Sequence, residues 1–335
     1  MAQADTAHGE RDEHETRPSR PAIHWRDAGT WRRGWVIAAI ALVVGLLMFF
    51  HSSVPNSVGN LGSLFETFLP WTGLVVPVLL AFALVRRSAV ALAALLVPAV
   101  VWVNLFGGLL TGKSSGGGNL TVVSHNVNAG NPDPAATAKD IAGSGADIVA
   151  LEELAGNALP VYERGLADTY RYHEVEGTVA VWSKYPLSDT RPVDIQLGWV
   201  RALRTTVATP QGPVAVYVAH MPSVRVRLDS GFTAGQRDRS AAALGDAIAR
   251  EPQRRVILLG DLNGTMNDRS LSPITAQMRS AQGAAGDGFG FTWPASFPMA
   301  RIDQIMVRGI APARSWVLPA TGSDHLPVAA TLRVG

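Results

Sequence analysis

In the second part of the chain, short apolar runs repeatedly stop in acids, amides or imidazoles. LTVVSHN ends in Asn126, DIVALEE in Glu152 and Glu153, VAVYVAH in His220, and RVILLGDLN in Asp261 and Asn263, while RIDQIMV carries Asp303 and TGSDHLP sets Asp324 beside His325. Carboxylates and amides are hard oxygen donors, and an imidazole exchanges its proton near neutral pH. The chain has no cysteine, which excludes disulfides, thiolate metal sites and cysteine nucleophiles together. Oxygen donors without thiolates suit Mg²⁺ or Mn²⁺ better than Zn²⁺. Singly, an Asp or Asn after a strand reads as a turn or cap residue. As a set they mark one rim of a sheet, where sites commonly form.

The elements that must position them are those of an α/β domain. From Leu120 onward, β-like runs alternate with Gly/Pro turns and a few Ala-rich stretches, and the clearest helical pattern is Ala234 to Arg250, with Leu244 and Ile248 four residues apart. Asp324 and His325 are adjacent, so they reach one site only from a turn, because neighbours in a strand point to opposite faces.

The ordered set of Asn, Glu, His, Gly-Asp-x-Asn, Arg-Ile-Asp and Ser-Asp-His-x-Pro resembles the endonuclease/exonuclease/phosphatase superfamily over Leu120 to Val334. The resemblance implies the DNase I-like fold, a four-layer α/β sandwich, and hydrolysis of phosphate esters or anhydrides. That reaction asks for an activated water, a cation against developing charge, and donors around the nonbridging oxygens. Carried over, the family roles make Glu153 the main metal ligand, with Glu152 standing where the family usually has Gln. Asp261 orients or deprotonates the water, and Asn126, Asn263 and His220 hold the phosphoryl oxygens. Asp324 faces the metal, with Asn126 beside it. His325 faces the phosphate, and Asp303 accepts from its other ring nitrogen. Mg²⁺, or Mn²⁺, is the implied cofactor. Arg225, Arg227, Arg237 and Arg239 are further candidates for phosphate contact, Arg237 foremost, though solvated arginines are the plainer reading. Phe289, Phe291, Trp293 and Phe297 precede the Arg-Ile-Asp run and read as packing residues or as a lipid-facing lip.

The first part of the chain is of another kind. Hydrophobic residues make up 47% of the whole and charged residues only 17%, too apolar for an ordinary soluble enzyme of this size. Three uncharged runs account for the excess, and three transmembrane helices are expected over 35–50, 68–85 and 89–110, within a membrane domain spanning 34–110. Arg20, Arg26, Arg32 and Arg33 precede the first run and Arg86 and Arg87 separate the last two, while His51 to Thr67 has no Lys or Arg. The positive-inside rule then makes residues 1–33 a disordered cytoplasmic tail and puts 120–335 outside the cell, so the chain is expected to be a multi-pass cell-membrane protein. Residues 111–119, TGKSSGGGN, read as a Gly/Ser linker spanning about 15 to 18 Å as a flexible coil.

These readings favour a membrane-tethered phosphoesterase acting on a lipid-borne phosphate, such as a prenyl pyrophosphate or a phospholipid headgroup. An extracellular nuclease wants a basic groove, and a net charge of +2 argues against one, so no nucleic acid partner is favoured. A non-enzymatic binding or sensor module is the third alternative. The arrangement of spans and external domain is similar to membrane proteins of teicoplanin resistance, which implies a cell-envelope lipid such as undecaprenyl pyrophosphate.

Overall fold

Runs rich in Val, Ile and Leu become strands whose two faces are both covered. The computed structural model describes residue 29 and residues 33–227 and 231–335. The tail expected over 1–33 therefore lies almost wholly outside the described residues, as do Arg20, Arg26 and Arg32.

One six-stranded sheet is built from β1 (Leu120–Asn126), β2 (Ile148–Glu152), β3 (Tyr172–Glu176), β4 (Val179–Ser183), β13 (Ala311–Val317) and β14 (Val328–Arg333), in the order β13-β14-β1-β2-β4-β3. The other is built from β5 (Leu187–Pro192), β6 (Ala202–Thr209), β7 (Gly212–His220), β10 (Val256–Asp261), β11 (Arg279–Ser280) and β12 (Asp303–Arg308), in the order β11-β12-β10-β7-β6-β5. A small hairpin pairs β8 (Val226–Arg227) with β9 (Gly231–Phe232).

The two sheets face each other across Val122, Ile148, Val181, Val216, Ile257, Ile305 and Val328. On the outer side of the first, α5 (Pro134–Gly143) and α6 (Leu159–Leu166) bury Ile141, Tyr162 and Leu166 against Trp182. On the outer side of the second, α7 (Gly235–Ala249) and the single turn α8 (Ser272–Thr275) bury Leu244, Ile248 and Ile274 against Tyr217 and Leu258. The layers are thus helices, sheet, sheet, helices, as the resemblance implied. Strands β1 and β2 pair in parallel, as do β7 and β10. Covered on both faces, such strands read as continuous apolar runs rather than as alternation.

The three apolar runs form helices of unequal length. Residues Leu69–Arg86 and Ala89–Leu109, 18 and 21 residues, are long and apolar enough to cross a bilayer. The first run forms α1 (Trp35–Phe49), only 15 residues, or about 22 Å against a hydrocarbon core of about 30 Å. The expectation of three full-length spans is corrected on this point: by length and composition there are two among the described residues. The limit on α1 is local, since Gly34 enters it at φ 75° and a 3₁₀ turn over His51–Ser53 follows it. Within the longer segments, α3 (Val75–Arg86) follows a 3₁₀ stretch over Leu69–Leu74, and α4 (Ala89–Phe106) precedes one over Gly107–Leu109. The helices meet through small residues, with Ala41, Ala83 and Ala91 buried beside Leu79 and Leu95, while Val43, Phe82, Val85 and Val100 stay exposed.

The segment between α1 and α3 folds back on the α/β layers. It contains α2 (Leu61–Thr67), whose buried Glu66 accepts from Arg269 Nε with both oxygens at 3.1 Å. Trp71 Nε1 donates to Met299 O at 2.8 Å, and Phe232 N donates to Gly59 O at 2.7 Å. The linker is anchored as well. Ser115 N donates to Ala313 O at 2.7 Å and Asn119 N to Leu332 O at 2.9 Å, so it lies along β13 and β14 instead of swinging as a free coil.

Candidate active site

Strand register assembles the site. Asn126 pairs opposite Glu152, Asp261 opposite His220, and Asp261 again opposite Asp303. The carboxyl ends of β1, β2, β7 and β10 thus open on one rim, together with the start of β12 and the turn before β14. Parallel pairing makes this possible, because it brings several strand ends to the same edge. The β10 end requires its glycine: Gly260 sits at φ 149°, and a Cβ there would lie 1.9 Å from Ala219 O. Glu153 and Asn263 hold left-handed conformations at φ 55° and φ 46°, a conformation that is uncommon outside glycine and is found at functional turns.

At the centre, His325 Nδ1 lies 3.1 and 3.0 Å from the two oxygens of Asp303, and its Nε2 lies 3.9 Å from Asp261 Oδ2. Burial alone would pull the imidazole down, but the charge and hydrogen bond of Asp303, followed by the charges of Asp261 and Asp324, raise it to about 10. His325 is therefore an imidazolium that directs Nε2–H toward Asp261. Burial, and next the charge of Asp303, pushes Asp261 up to about 7. Three donors hold that carboxylate: Asn263 N at 2.9 Å, Asn263 Nδ2 at 3.1 Å and Asn126 Nδ2 at 3.1 Å.

The other expected residues divide into two groups. His220 is buried with Nε2 3.3 Å from Glu153 Oε1 and 3.7 Å from Asp261 Oδ2. Burial, the neighbouring Arg201 and His325 keep its pKa well below the usual imidazole value, so it is neutral beside the charged His325. Glu153 and Asp324 line the open cleft. Glu152 faces the interior, where Ser124 Oγ donates to its Oε1 at 3.0 Å. Burial and the charge of Asp303 raise its pKa well above the carboxylate range, so it is a neutral acid. A protonated carboxyl presents one donor and one carbonyl-like acceptor, as a Gln side chain does. Asn126 is buried, with its Oδ1 accepting from Asn128 N at 3.0 Å, so together with Asn263 it orients Asp261.

Arg237 does not reach the cleft. It is fully buried, 2.6 Å from Asp268 Oδ2, and donates to Asp238 Oδ1 and Asn263 O. Its role is to brace the loop that carries Asn263. Arg239 is exposed, Arg225 lines the cleft, and the side chain of Arg227 lies outside the described residues. Phe289 and Phe291 stack on each other and pack against Trp102, Phe106 and Trp71, whereas Trp293 lines the cleft and Phe297 is exposed.

Several participants were not singled out in the sequence. Arg201, at the entry to β6, sets its guanidinium against the His220 ring and lies over Trp199 at 5.0 Å. Asn128 donates from Nδ2 to Asp324 Oδ1 at 2.9 Å. Thr67 and Phe68, from the segment between the apolar helices, form one wall of the cleft, which measures about 530 Å³. Arg201 and Asn128 lie within two residues of an apolar run, a signal that could have flagged them. Nothing local marks Thr67 or Phe68.

The donor set fits a hard divalent cation. Glu153 and Asp324 offer carboxylate oxygens to the cleft, each steadied by one donor, Ala129 N at 3.3 Å and Asn128 Nδ2 at 2.9 Å, and oxygen donors of this kind are what Mg²⁺ and Mn²⁺ prefer. Asp261, Asp303 and His325 also offer atoms within 4.8 Å of one another. Both oxygens of Asp303 face His325 Nδ1, so this trio reads as a carboxylate-imidazole pair beside Asp261.

Solved structures share the fold. A functionally unknown conserved protein from Enterococcus faecalis V583 matches at 16% identity with a TM-score of 0.55, over 64% of this chain and all of the other. An endonuclease/exonuclease/phosphatase from Bacteroides vulgatus matches at 19% with a TM-score of 0.54, over 64% and 99%. D. rerio TDP2, solved with a single-strand DNA product, matches at 17% with a TM-score of 0.55, over 64% and 98%. No curated protein matches the sequence. The family model for endonucleases, exonucleases and phosphatases matches residues 123–325. Its members are typically divalent-metal-dependent hydrolases of phosphoester bonds. The match begins inside β1 and ends on His325, taking in every strand end that supplies a site residue, and the chain belongs to the endonuclease/exonuclease/phosphatase family.

Proposed function

We propose that this chain is a membrane-tethered, externally facing metal-dependent phosphoesterase that hydrolyses a lipid-borne phosphate. The observation that carries the reading is the shared wall of the cleft: Thr67 and Phe68, which join the apolar helices, line it together with Glu153, Asp261 and His325. Val226, Phe232 and Trp293 add apolar surface to the same cleft. A substrate with an apolar tail reaches such a site along the helices, and tethering raises its effective concentration with no new contact.

In this site Asp261 orients the attacking water and accepts its proton, and the amides of Asn126 and Asn263 keep its carboxylate in place. His325, held as a cation by Asp303, donates from Nε2 to the phosphoryl group as negative charge develops. Neutral His220, with the Arg201 guanidinium against its ring, lies 3.7 Å from the Asp261 oxygen that His325 also approaches. Glu153 and Asp324 would hold the divalent cation, which when bound neutralises phosphoryl oxygens and stabilises the transition-state charge.

The arginines support an external catalytic domain. Ser88 Oγ donates to Arg33 O, so Arg33 and the Arg86–Arg87 turn share the end of the helices remote from the catalytic layers, as the positive-inside rule asks of a cytoplasmic end. The similarity of arrangement to teicoplanin-resistance membrane proteins favours undecaprenyl pyrophosphate, or a related envelope lipid, as substrate and a role in glycopeptide resistance.

The test is phosphate release by the detergent-solubilised full chain, with Mg²⁺ or with EDTA, on undecaprenyl pyrophosphate, a phospholipid panel and plasmid DNA. Metal-dependent turnover of a lipid, lost in Asp261→Ala and His325→Ala, is the expected result. Nicking of DNA alone would make the chain a tethered nuclease, and no turnover of any substrate would favour a binding role.

A further inference from the structure

Glu66 is the only acid between residues 34 and 110, and it is completely buried. A buried carboxylate is costly unless it is paired and hydrogen-bonded, and the donors that satisfy this one come from outside α2. Arg269 N donates to Oε2 at 3.1 Å, Arg269 Nε donates to both oxygens at 3.1 Å, and His51 Nδ1 lies 3.3 Å from Oε1. Arg269 Nη2 also donates to His51 O at 2.8 Å, and Thr265 Oγ1 to Glu66 O at 3.4 Å. One acidic residue thus ties the segment between the apolar helices to residues 265–269. It does not line the cleft itself, whereas Thr67 and Phe68, which follow it, do.

Residues 265–269 belong to the loop that leaves β10 through the site. Within that loop Asn263 holds φ 46° and supplies two of the three donors to Asp261, N at 2.9 Å and Nδ2 at 3.1 Å. A left-handed Asn persists only where its surroundings enforce it. Arg237 enforces it from α7, donating to Asn263 O at 2.9 Å and pairing with Asp268 Oδ2 at 2.6 Å. Asp268 N donates to Thr265 O at 3.0 Å and closes the loop on itself. Glu66 holds the same closure from the membrane-proximal side, because its two contacts, Thr265 and Arg269, flank it.

We propose that Glu66 is a positioning residue for the hydrolytic site: bound to Arg269 and Thr265, it fixes the loop over 262–269 so that Asn263 aims both of its donors at Asp261. Glu66 acts through Asn263, and the orientation of Asp261 therefore depends on the docking of the segment between the apolar helices. The effect on turnover rests on the reading of the cleft as hydrolytic, while the effect on the loop does not.

The test compares the detergent-solubilised full chain with Glu66→Ala, Asn263→Ala and the double variant. Arg204→Ala, which breaks a buried pair on the outer face of the second sheet, is the control for general destabilisation. Amide hydrogen exchange over 262–268, where Glu66 bonds no backbone amide, should quicken at least about tenfold in Glu66→Ala and not in Arg204→Ala, since such exchange reports local opening. With bis(4-nitrophenyl) phosphate and Mg²⁺, kcat of Glu66→Ala should fall by up to about 100-fold with KM near wild type, the cost of a misplacement of about 1 Å. Added to Asn263→Ala, Glu66→Ala should lower kcat little further, because residues that act through one another are not additive. Unchanged exchange over 262–268 in Glu66→Ala overturns the proposal, and so does full additivity with Asn263→Ala. If Glu66→Ala fails to fold, Glu66→Gln decides, since it keeps the volume and one acceptor oxygen: faster exchange over 262–268 supports the proposal and unchanged exchange overturns it. A wild type that turns over neither this ester nor any lipid phosphate overturns the hydrolytic reading alone, and exchange then still decides whether Glu66 positions Asn263.

Discussion

At the residue scale the site depends on carboxyls and imidazoles whose proton affinities are driven apart. Asp261 is pushed up to about 7 and His325 up to about 10, and Asp303 contributes to both shifts. With Asp261 acting as a base and His325 as an acid, kcat/KM should rise at a pH below about 7, because the cation on which turnover depends favours the carboxylate, and should fall through about pH 10. Asp303→Asn removes the charge that raises both groups, so both limbs should move to lower pH. The rate should drop by about 10²-fold or more, the usual worth of a positioned acid, and a pH-rate profile of the variant checks all three statements. Glu152 supplies an independent test. Its folded pKa is raised above the ordinary 4.5, so the folded state keeps a proton that the unfolded chain releases. This contribution favours folding fully below pH 4.5 and is lost as the pH climbs through the raised value. Glu152→Gln should match the wild type in thermal stability near pH 4.5 and exceed it increasingly toward neutral pH, with activity retained.

At the element scale, strand pairing fixes which residues meet. Gly260→Ala would drive a methyl into Ala219 O, 1.9 Å from the Cβ position, and should cost roughly 3 kcal/mol while separating β10 from β7. Denaturant unfolding together with kcat would register both consequences. The outer face of the second sheet is tied differently. Arg204 on β6 donates to both oxygens of Glu251 at 2.9 and 3.0 Å, and Tyr217 adds a third donor at 2.9 Å. Arg204→Ala leaves the buried carboxylate with the Tyr217 hydroxyl and the Gln253 amide as its remaining side-chain and backbone donors, and should cost about 3–5 kcal/mol in denaturant unfolding.

At the scale of the whole molecule, the consequence is that the segment between the apolar helices is part of the catalytic cleft. Phe68 lines the same cleft as Asp261, yet nothing in the chemistry uses its ring. Phe68→Asp should raise KM for a lipid phosphate by about tenfold or more, through lost apolar contact and added charge, and leave kcat on a water-soluble phosphoester near wild type. Equal effects on both substrates would overturn a lipid-facing role for this wall. The family, the order of the site residues and the apolar character of the runs between residues 35 and 110 were legible in the sequence. Each rests on residue type or on local order: GDLN, RID and SDHLP name donors, and uncharged runs name apolar helices. Asn126, Glu153 and Asp261 were legible because they stand at strand ends, and His325 because it sits in the SDHLP turn before the last strand. Arg237 was misjudged because a charge in an amphipathic helix reads as solvated until a buried partner such as Asp268 is seen. Three things were decided only by the tertiary structure: the inward turn of Glu152 against the outward turn of Glu153, the anchoring of the linker along β13 and β14, and the placement of Thr67 and Phe68 in the same cleft as His325. All are contacts between residues far apart in the chain or choices of side-chain direction at a strand end, and local pattern carries no information on either until the sheets close on each other and the helices dock.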